Sequence, residues 1–301
     1  PKYLMPIEVM LQHQGKHREE YRLTFGYLQM FHQFSRVPGH LVHHLKKTPE
    51  QHFVEIANSI SYAQEKGVSV NVYLEDWSNG MRNSSDYTLS LIEFLTKQSI
   101  KRIMLPDTLG LLSPDEVRDY FDLILEKFPK THFDFHAHND YDLSIANVLE
   151  AIYNGIAGIH TTVNGLGERA GNASLESVTA VLKDFTDYKI SLNESKIYRV
   201  SKLVEQFSGQ HIPANKPVVG ENVFTQTAGI HADGDNKKNL YFNDLLPERF
   251  GRQRKYALGK TSGKANILKN LEELGISLEK EELARVTQRI IELGDKKERV
   301  T

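Results

Sequence analysis

The sequence predicts an α/β fold in which parallel strands alternate with helices, in βα units of the (β/α)8 TIM-barrel type, followed by a mostly helical region. Four strand-like segments begin near residues 68, 101, 132 and 158, about 25 to 33 residues apart, which is one βα unit each. Helix-start signals sit in front of the intervening stretches. After about residue 190 the strand signal fades and the texture changes.

Thr48-Pro49-Glu50-Gln51 opens the first helix: Thr48 is the N-cap, Pro49 fills the first helical position and Gln51 closes a capping box. Phe53, Ile56, Ala57 and Ile60 follow with helical spacing up to Gly67. Val68–Leu74 alternates as a strand, and a helix is expected around Tyr87–Lys97. Arg102–Leu105 is the second strand, and Ser113-Pro114-Asp115-Glu116 caps a helix running to about Lys127. The third strand is His132–His136 and its helix runs from about Leu143 to Asn154. The fourth strand covers about Gly158–Val163 and the helix after it Ser174–Phe185. Further helices are expected at about 194–207, 261–274 and 278–293, around a Pro- and Gly-containing stretch from Pro213 to Gly234. The first 40 residues hold three of the five Met and show neither period.

Composition narrows the function classes. The 301 residues carry 37 Lys and Arg against 39 Asp and Glu, a net charge of -2, so no basic field points to nucleic acid or to an anionic membrane. There is no Cys, which removes disulfides, thiolate nucleophiles and thiolate metal sites, and fits a cytoplasmic protein. No apolar run of about 18 residues is present to span a bilayer. The chain starts at Pro1 without a charged-then-apolar leader, as an internal start would.

Chemistry-bearing residues gather at the ends of the strands. In Phe135-His136-Ala137-His138-Asn139-Asp140, alternation puts His136 and His138 on one side, where two imidazoles suit a divalent metal with mixed N/O ligation. The alternative is a pair of hydrogen-bonded interior histidines. Asn164-Gly-Leu-Gly-Glu-Arg-Ala-Gly-Asn172 follows the fourth strand and precedes a helix; it is either an anion-binding turn or a tight strand-to-helix connection. Leu74-Glu75-Asp76 and Leu105-Pro106-Asp107-Thr108 end the first two strands, at the rim where such barrels do chemistry. A lone carboxylate there is often a helix cap. Thr225–Asp235, with His231 between Gly and Asp residues, lies outside the strand region and, taken by itself, reads first as a solvated loop.

Together, "FHAHND", "NGLGERAGN" and "TAGIHADG", in this order and with barrel-like spacing, make the chain from about His40 onward resemble the acyl-CoA condensing enzymes of the metal-dependent barrel family. That family includes 2-isopropylmalate, citramalate and homocitrate synthases. The stretches "NVYLEDWSNGMRNS" and "GENVFTQTAGIHADGDNKKNLY" look closest to the citramalate synthase-like branch. The resemblance implies condensation of acetyl-CoA with a 2-oxo acid (pyruvate or 2-oxoisovalerate), in isoleucine or leucine biosynthesis. It implies a divalent metal (Mg, Mn or Zn) held by His136 and His138 with Asn172 nearby. It implies Glu75, His231 and Tyr241 as catalytic residues, and Tyr73, Thr108, Asp233, Asn239 and Leu240 at the substrates. It also implies a homodimer in which His231 and Tyr241 serve the neighbouring subunit.

The sequence departs from the family at its start. Family members open with a strand ending in Arg-Asp-(Gly)-Glu, whose Arg holds the oxo acid and whose Asp completes the metal site. Here Arg18-Glu19-Glu20 has no Asp, and none precedes Asp76. Four βα units of about 31 residues need roughly 120 residues, whereas 47 precede Thr48. The expectation is the C-terminal half of a barrel over 41–190, with 1–40 unassigned and a helical linker and dimerisation subdomain over 191–301. Two readings follow: a synthase of this type, or a catalytically inactive remnant lacking the Arg-Asp-Glu strand, which is the one expected for turnover by these 301 residues. A metal-dependent aldolase or lyase is the third, and the His231–Tyr241 cluster favours a synthase over it.

Overall fold

The computed structural model of the chain describes residues 8–9, 28–33, 48–226, 234 and 243–296. Two compact units divide it, 1–190 and 191–301.

The first unit is a six-stranded sheet with helices. In chain order its elements are β1 (Glu8–Val9), β2 (Leu28–Gln33), α1 (Pro49–Glu65), β3 (Val70–Glu75), α2 (Trp77–Thr96), β4 (Ile103–Asp107), α3 (Pro114–Lys127), β5 (Phe133–Ala137), α4 (Ser144–Tyr153), β6 (Gly158–His160) and α5 (Leu175–Phe185). The strand order is β1-β6-β5-β4-β3-β2. All pairs are parallel except β1 on β6. The four expected βα units are therefore present, side by side and in chain order.

Alternation sorts the strands into two faces. Val70, Val72 and Leu74, Ile103 and Leu105, Phe133, Phe135 and Ala137, and Ile159 join one apolar core. Helices supply the other half: Ile56 and Ile60, Leu91, Ile92 and Leu95, Phe121 and Ile124, Val148 and Ile152, Val178 and Leu182. Phe121 packs edge-on against Phe135 at 5.2 Å and tilted against Trp77 at 5.4 Å, so one aromatic cluster ties α2, α3 and β5. The residues between these on the strands, Tyr73, Met104, Asp134, His136 and His160, belong to the opposite face and are also buried.

Local signals explain the helix starts. Thr48 and Ser113 each close a capping box, with Gln51 and Glu116 answering. Two expectations need revision. The second helix begins at Trp77 rather than Tyr87, and Ser84 breaks its geometry at φ -154°. Its first turns, Ser78-Asn79-Gly80, are poor helix formers, but Trp77 and Met81 are buried and packing outweighs propensity. Within the first 40 residues, left unassigned above, Leu28–Gln33 forms a strand paired along its whole length with β3. Its alternation breaks at Met30-Phe31, but a parallel strand is held by its neighbour's backbone and needs no period of two.

The second unit holds a 3₁₀ turn at Glu194–Lys196, α6 (Ile197–Ser208), β7 (Thr225–Gln226), a 3₁₀ turn at Pro247–Phe250, β8 (Lys255–Tyr256), α7 (Lys264–Glu273) and α8 (Lys280–Asp295). β7 and β8 pair in parallel. Arg249 bonds both oxygens of Glu194, at 2.7 and 3.4 Å, and so joins the two 3₁₀ turns. Arg252 donates to the carbonyls of Val218, Gly220 and Glu221 while its guanidinium lies over Tyr198 at 4.6 Å and Phe224 at 5.0 Å. That grip holds Val218 at φ 67°, a left-handed conformation costly for a β-branched residue.

Candidate active site

The C-terminal ends of β3, β4, β5 and β6 form one rim, and Glu75, Thr108, His136, His138 and Asn172 all lie on it or just beyond it. Two close approaches shape it. The 164–172 loop folds back on itself: Gly165, Leu166, Gly171 and Asn172 donate their backbone N–H groups to Thr162, Val163, Glu168 and Gly165. Gly171 takes φ +85°, and a Cβ there would lie 2.0 Å from the Gly165 carbonyl oxygen. Those four amides are thus engaged within the loop, which makes a tight connection between β6 and α5. Its effect is to lay Asn172 beside His138 in an antiparallel bridge.

His136 and His138 meet edge-to-face with ring centroids 5.0 Å apart, and Tyr73 packs edge-on against His136 at 5.9 Å. Nδ1 of His136, Nδ1 of His138 and Oδ1 of Asn172 are buried without a hydrogen-bond partner. Buried polar atoms are normally paired. Burial, followed by the nearby His160 and His138, holds the His136 imidazole well below its ordinary pKa. Burial and then Arg169 lower that of His138, against Asp140, Glu168 and the Gly171 backbone. Both rings are therefore neutral near pH 7, the form in which imidazole ligates a metal. Two neutral imidazoles and one amide oxygen suit a divalent cation with mixed N/O ligation. Among the described residues no three His, Asp or Glu side chains converge to hold an ion.

Glu75 is half-buried at the end of β3. Burial raises its carboxyl pKa; a hydrogen bond with Thr108 opposes this, Asp76 and Glu168 add to it, and Arg169 opposes it. Thr108 Oγ1 also accepts from the Asp76 N–H at 2.9 Å. Asp107 acts locally. Its oxygens accept from the N–H groups of Leu111 and Leu112, both at 3.0 Å, closing the turn before α3. Burial pushes the phenol of Tyr73 up, and the charge of Glu75 adds to it. His231, Asp233, Asn239, Leu240 and Tyr241 lie outside the described residues.

Three residues absent from the sequence-based set are at work here. Arg169 donates to both oxygens of Asp140, at 2.7 and 3.0 Å, and to the Thr108 carbonyl at 2.6 Å, tying together the loops after β4, β5 and β6. Asp134 lies two positions below His136 on β5, and His160 lies beside His136 on β6, all on the same face. Asp134 was findable: it precedes His136 by two positions on a strand, so alternation puts both on one side.

Known proteins are similar to this chain over most of its length. The HMGL-like family model matches residues 28–204, starting with the strand β2, and the homocitrate synthase post-HMGL domain-like model matches 218–298. A 2-isopropylmalate synthase of Sulfurisphaera tokodaii is 37% identical over 261 residues, 87% of this chain and 67% of that protein. An (R)-citramalate synthase of Methanocaldococcus jannaschii is 34% identical over 258 residues, 86% of this chain and 52% of that protein. The chain spans about half the length of several such relatives, 51% and 52% in two cases. Among solved structures, an HMG-CoA lyase of Bacillus subtilis superposes with a TM-score of 0.53 at 22% identity, covering 62% of this chain and 65% of the other, and so supports the barrel-type fold. Since the HMGL-like match covers more than half of the 301 residues, this chain belongs to the HMGL-like family.

Proposed function

We propose that this chain carries the metal-binding rim of an enzyme that condenses acetyl-CoA with a 2-oxo acid. The observation that carries the reading is the set of three buried, unpartnered donors, His136 Nδ1, His138 Nδ1 and Asn172 Oδ1, gathered at the strand ends. Relatives named 2-isopropylmalate, citramalate and homocitrate synthase support the reaction class. His136, His138 and Asn172 would hold the cation, which when bound supplies Lewis-acid polarisation of the oxo acid's carbonyl.

Further roles fall to other residues of this chain, although the Arg-Asp-(Gly)-Glu strand of the family is absent from this sequence. Tyr73 packs against His136 and walls the site on the β3 side, where the side chain of the oxo acid would lie. Burial raises the pKa of the Glu75 carboxyl above its ordinary value, and its hydrogen bond with Thr108 orients it at the rim for proton exchange. His231 and Tyr241 are assigned to removing the methyl proton of acetyl-CoA, with Asp233, Asn239 and Leu240 at the thioester. The carbanion adds to the keto carbon, the keto oxygen takes a proton, and hydrolysis of the thioester releases CoA. In the same reading the enzyme is a homodimer whose His231 and Tyr241 act in the neighbouring subunit.

The test is CoA release from acetyl-CoA with Mg²⁺ or Mn²⁺ and either pyruvate or 2-oxoisovalerate. Release with pyruvate alone assigns a citramalate synthase, and release with 2-oxoisovalerate a 2-isopropylmalate synthase. No release together with no metal uptake in calorimetry overturns the reading.

A further inference from the structure

Asp134 is 1% exposed on the same face as His136, and both of its carboxylate oxygens are bonded. Oδ1 pairs with His132 Nε2 at 2.8 Å; Oδ2 takes Arg102 Nη1 at 3.1 Å and His160 Nε2 at 3.3 Å. Register places Asp134 opposite Gly158 and His136 opposite His160 across the β5–β6 pair. The His160 ring meets His136 edge-to-face, centroids 5.7 Å apart and planes at 66°. Gly158 makes room for this arrangement: a Cβ there would fall 2.1 Å from Asp134 Oδ1. A buried carboxylate with three cationic or imidazole partners is costly to assemble, and the core on the other face of the sheet already holds β5 and β6 together.

We infer that Asp134 and His160 are positioning residues for the metal-binding rim, the carboxylate fixing the His160 ring and that ring fixing the orientation of His136. The chain of contact runs from Asp134 through its hydrogen bond to His160, then through the ring edge to His136, whose Nδ1 has no hydrogen bond of its own to orient it. Groups that hold a ligand's ring from behind typically change metal affinity about 10- to 100-fold when removed. The inference rests on the metal-binding reading given above.

The full chain tests it in two measurements on wild type, Asp134→Asn, His160→Leu and His136→Ala. Calorimetric titration with Mn²⁺ is expected to give about 10- to 100-fold weaker binding for Asp134→Asn and His160→Leu. Histidine-selective NMR of the metal-free protein is expected to give one sharp His136 ring signal in wild type, and a broadened or split one in the two variants. His136→Ala identifies that signal by its loss. A structural role alone would lower the melting temperature while leaving the Mn²⁺ affinity and the His136 signal unchanged, and that result overturns the inference. Should His160→Leu fail to fold, the isosteric Asp134→Asn decides. If wild type binds no Mn²⁺, the metal-binding reading fails, and the His136 ring signals decide on the positioning role.

Discussion

Asn172 is the residue on which the rim depends in two ways. Its Nδ2 donates to the Leu166 carbonyl at 3.0 Å, and its Oδ1, on the other side of the amide, has no partner. Asn172→Ala therefore removes one neutral hydrogen bond, worth about 1 kcal/mol, and the oxygen proposed above to hold the cation. The expected outcome is a small drop in melting temperature with Mn²⁺ binding weakened about tenfold or more, read by denaturation and calorimetry on the same sample. Glu116 makes a prediction of a different kind. The hydrogen bond from Arg82 holds its carboxyl below the usual value, burial opposes this, and Ser113 assists. Its folded pKa is depressed, so its contribution is present above the unfolded carboxylate value of about 4.3 and is lost as pH falls through the folded one. Glu116→Gln should therefore be less stable than wild type at pH 7, with the difference closing below about pH 4. At this scale the sequence was legible where chemistry and alternation coincide, as in His136 and His138. Arg169 was not, since its contacts reach residues 29 and 61 positions away in two other loops. Nor could Asp107 be told from a catalytic carboxylate before its two backbone bonds were seen.

Among the elements, capping boxes announced α1 and α3 to the residue, because such signals are local and written in adjacent side chains. The start of α2 was hidden for the opposite reason. Trp77 and Met81 belong to a core shared with β3, α3 and β5, and no window of sequence contains that information. In the second unit, the turn around Val218 is held by one side chain, Arg252, which uses the planar fork and the aromatic contacts of its guanidinium together. A lysine has neither. Arg252→Lys is expected to cost about 2 kcal/mol or more in urea denaturation, because it loses both the stacking and the carbonyl bonds that hold a strained backbone.

For the whole molecule, the division at residue 190 carries a thermodynamic expectation. Each unit has its own packing, so calorimetry of the full chain should resolve two transitions, with a van't Hoff enthalpy below the calorimetric one. A single transition with equal enthalpies would show instead that the units unfold as one. Mn²⁺ should raise only the transition of the first unit, which holds His136, His138 and Asn172, in proportion to the logarithm of its concentration. At this scale the sequence was legible through the spacing of βα units and through the loss of strand signal near residue 190. It was least so for β2, whose place in the sheet is set by pairing with β3.

One buried side chain gives these measurements an optical handle. The chain has a single tryptophan, Trp77, fully buried against Tyr120 and Phe121, one residue after Asp76 and two after Glu75. Its emission is a reporter confined to the first unit, blue-shifted while α2 stays packed and silent about α6, α7 and α8. Fluorescence and circular dichroism followed during one melt would then separate the units without any label, and ligand titrations at the rim could be watched from a site already built into it.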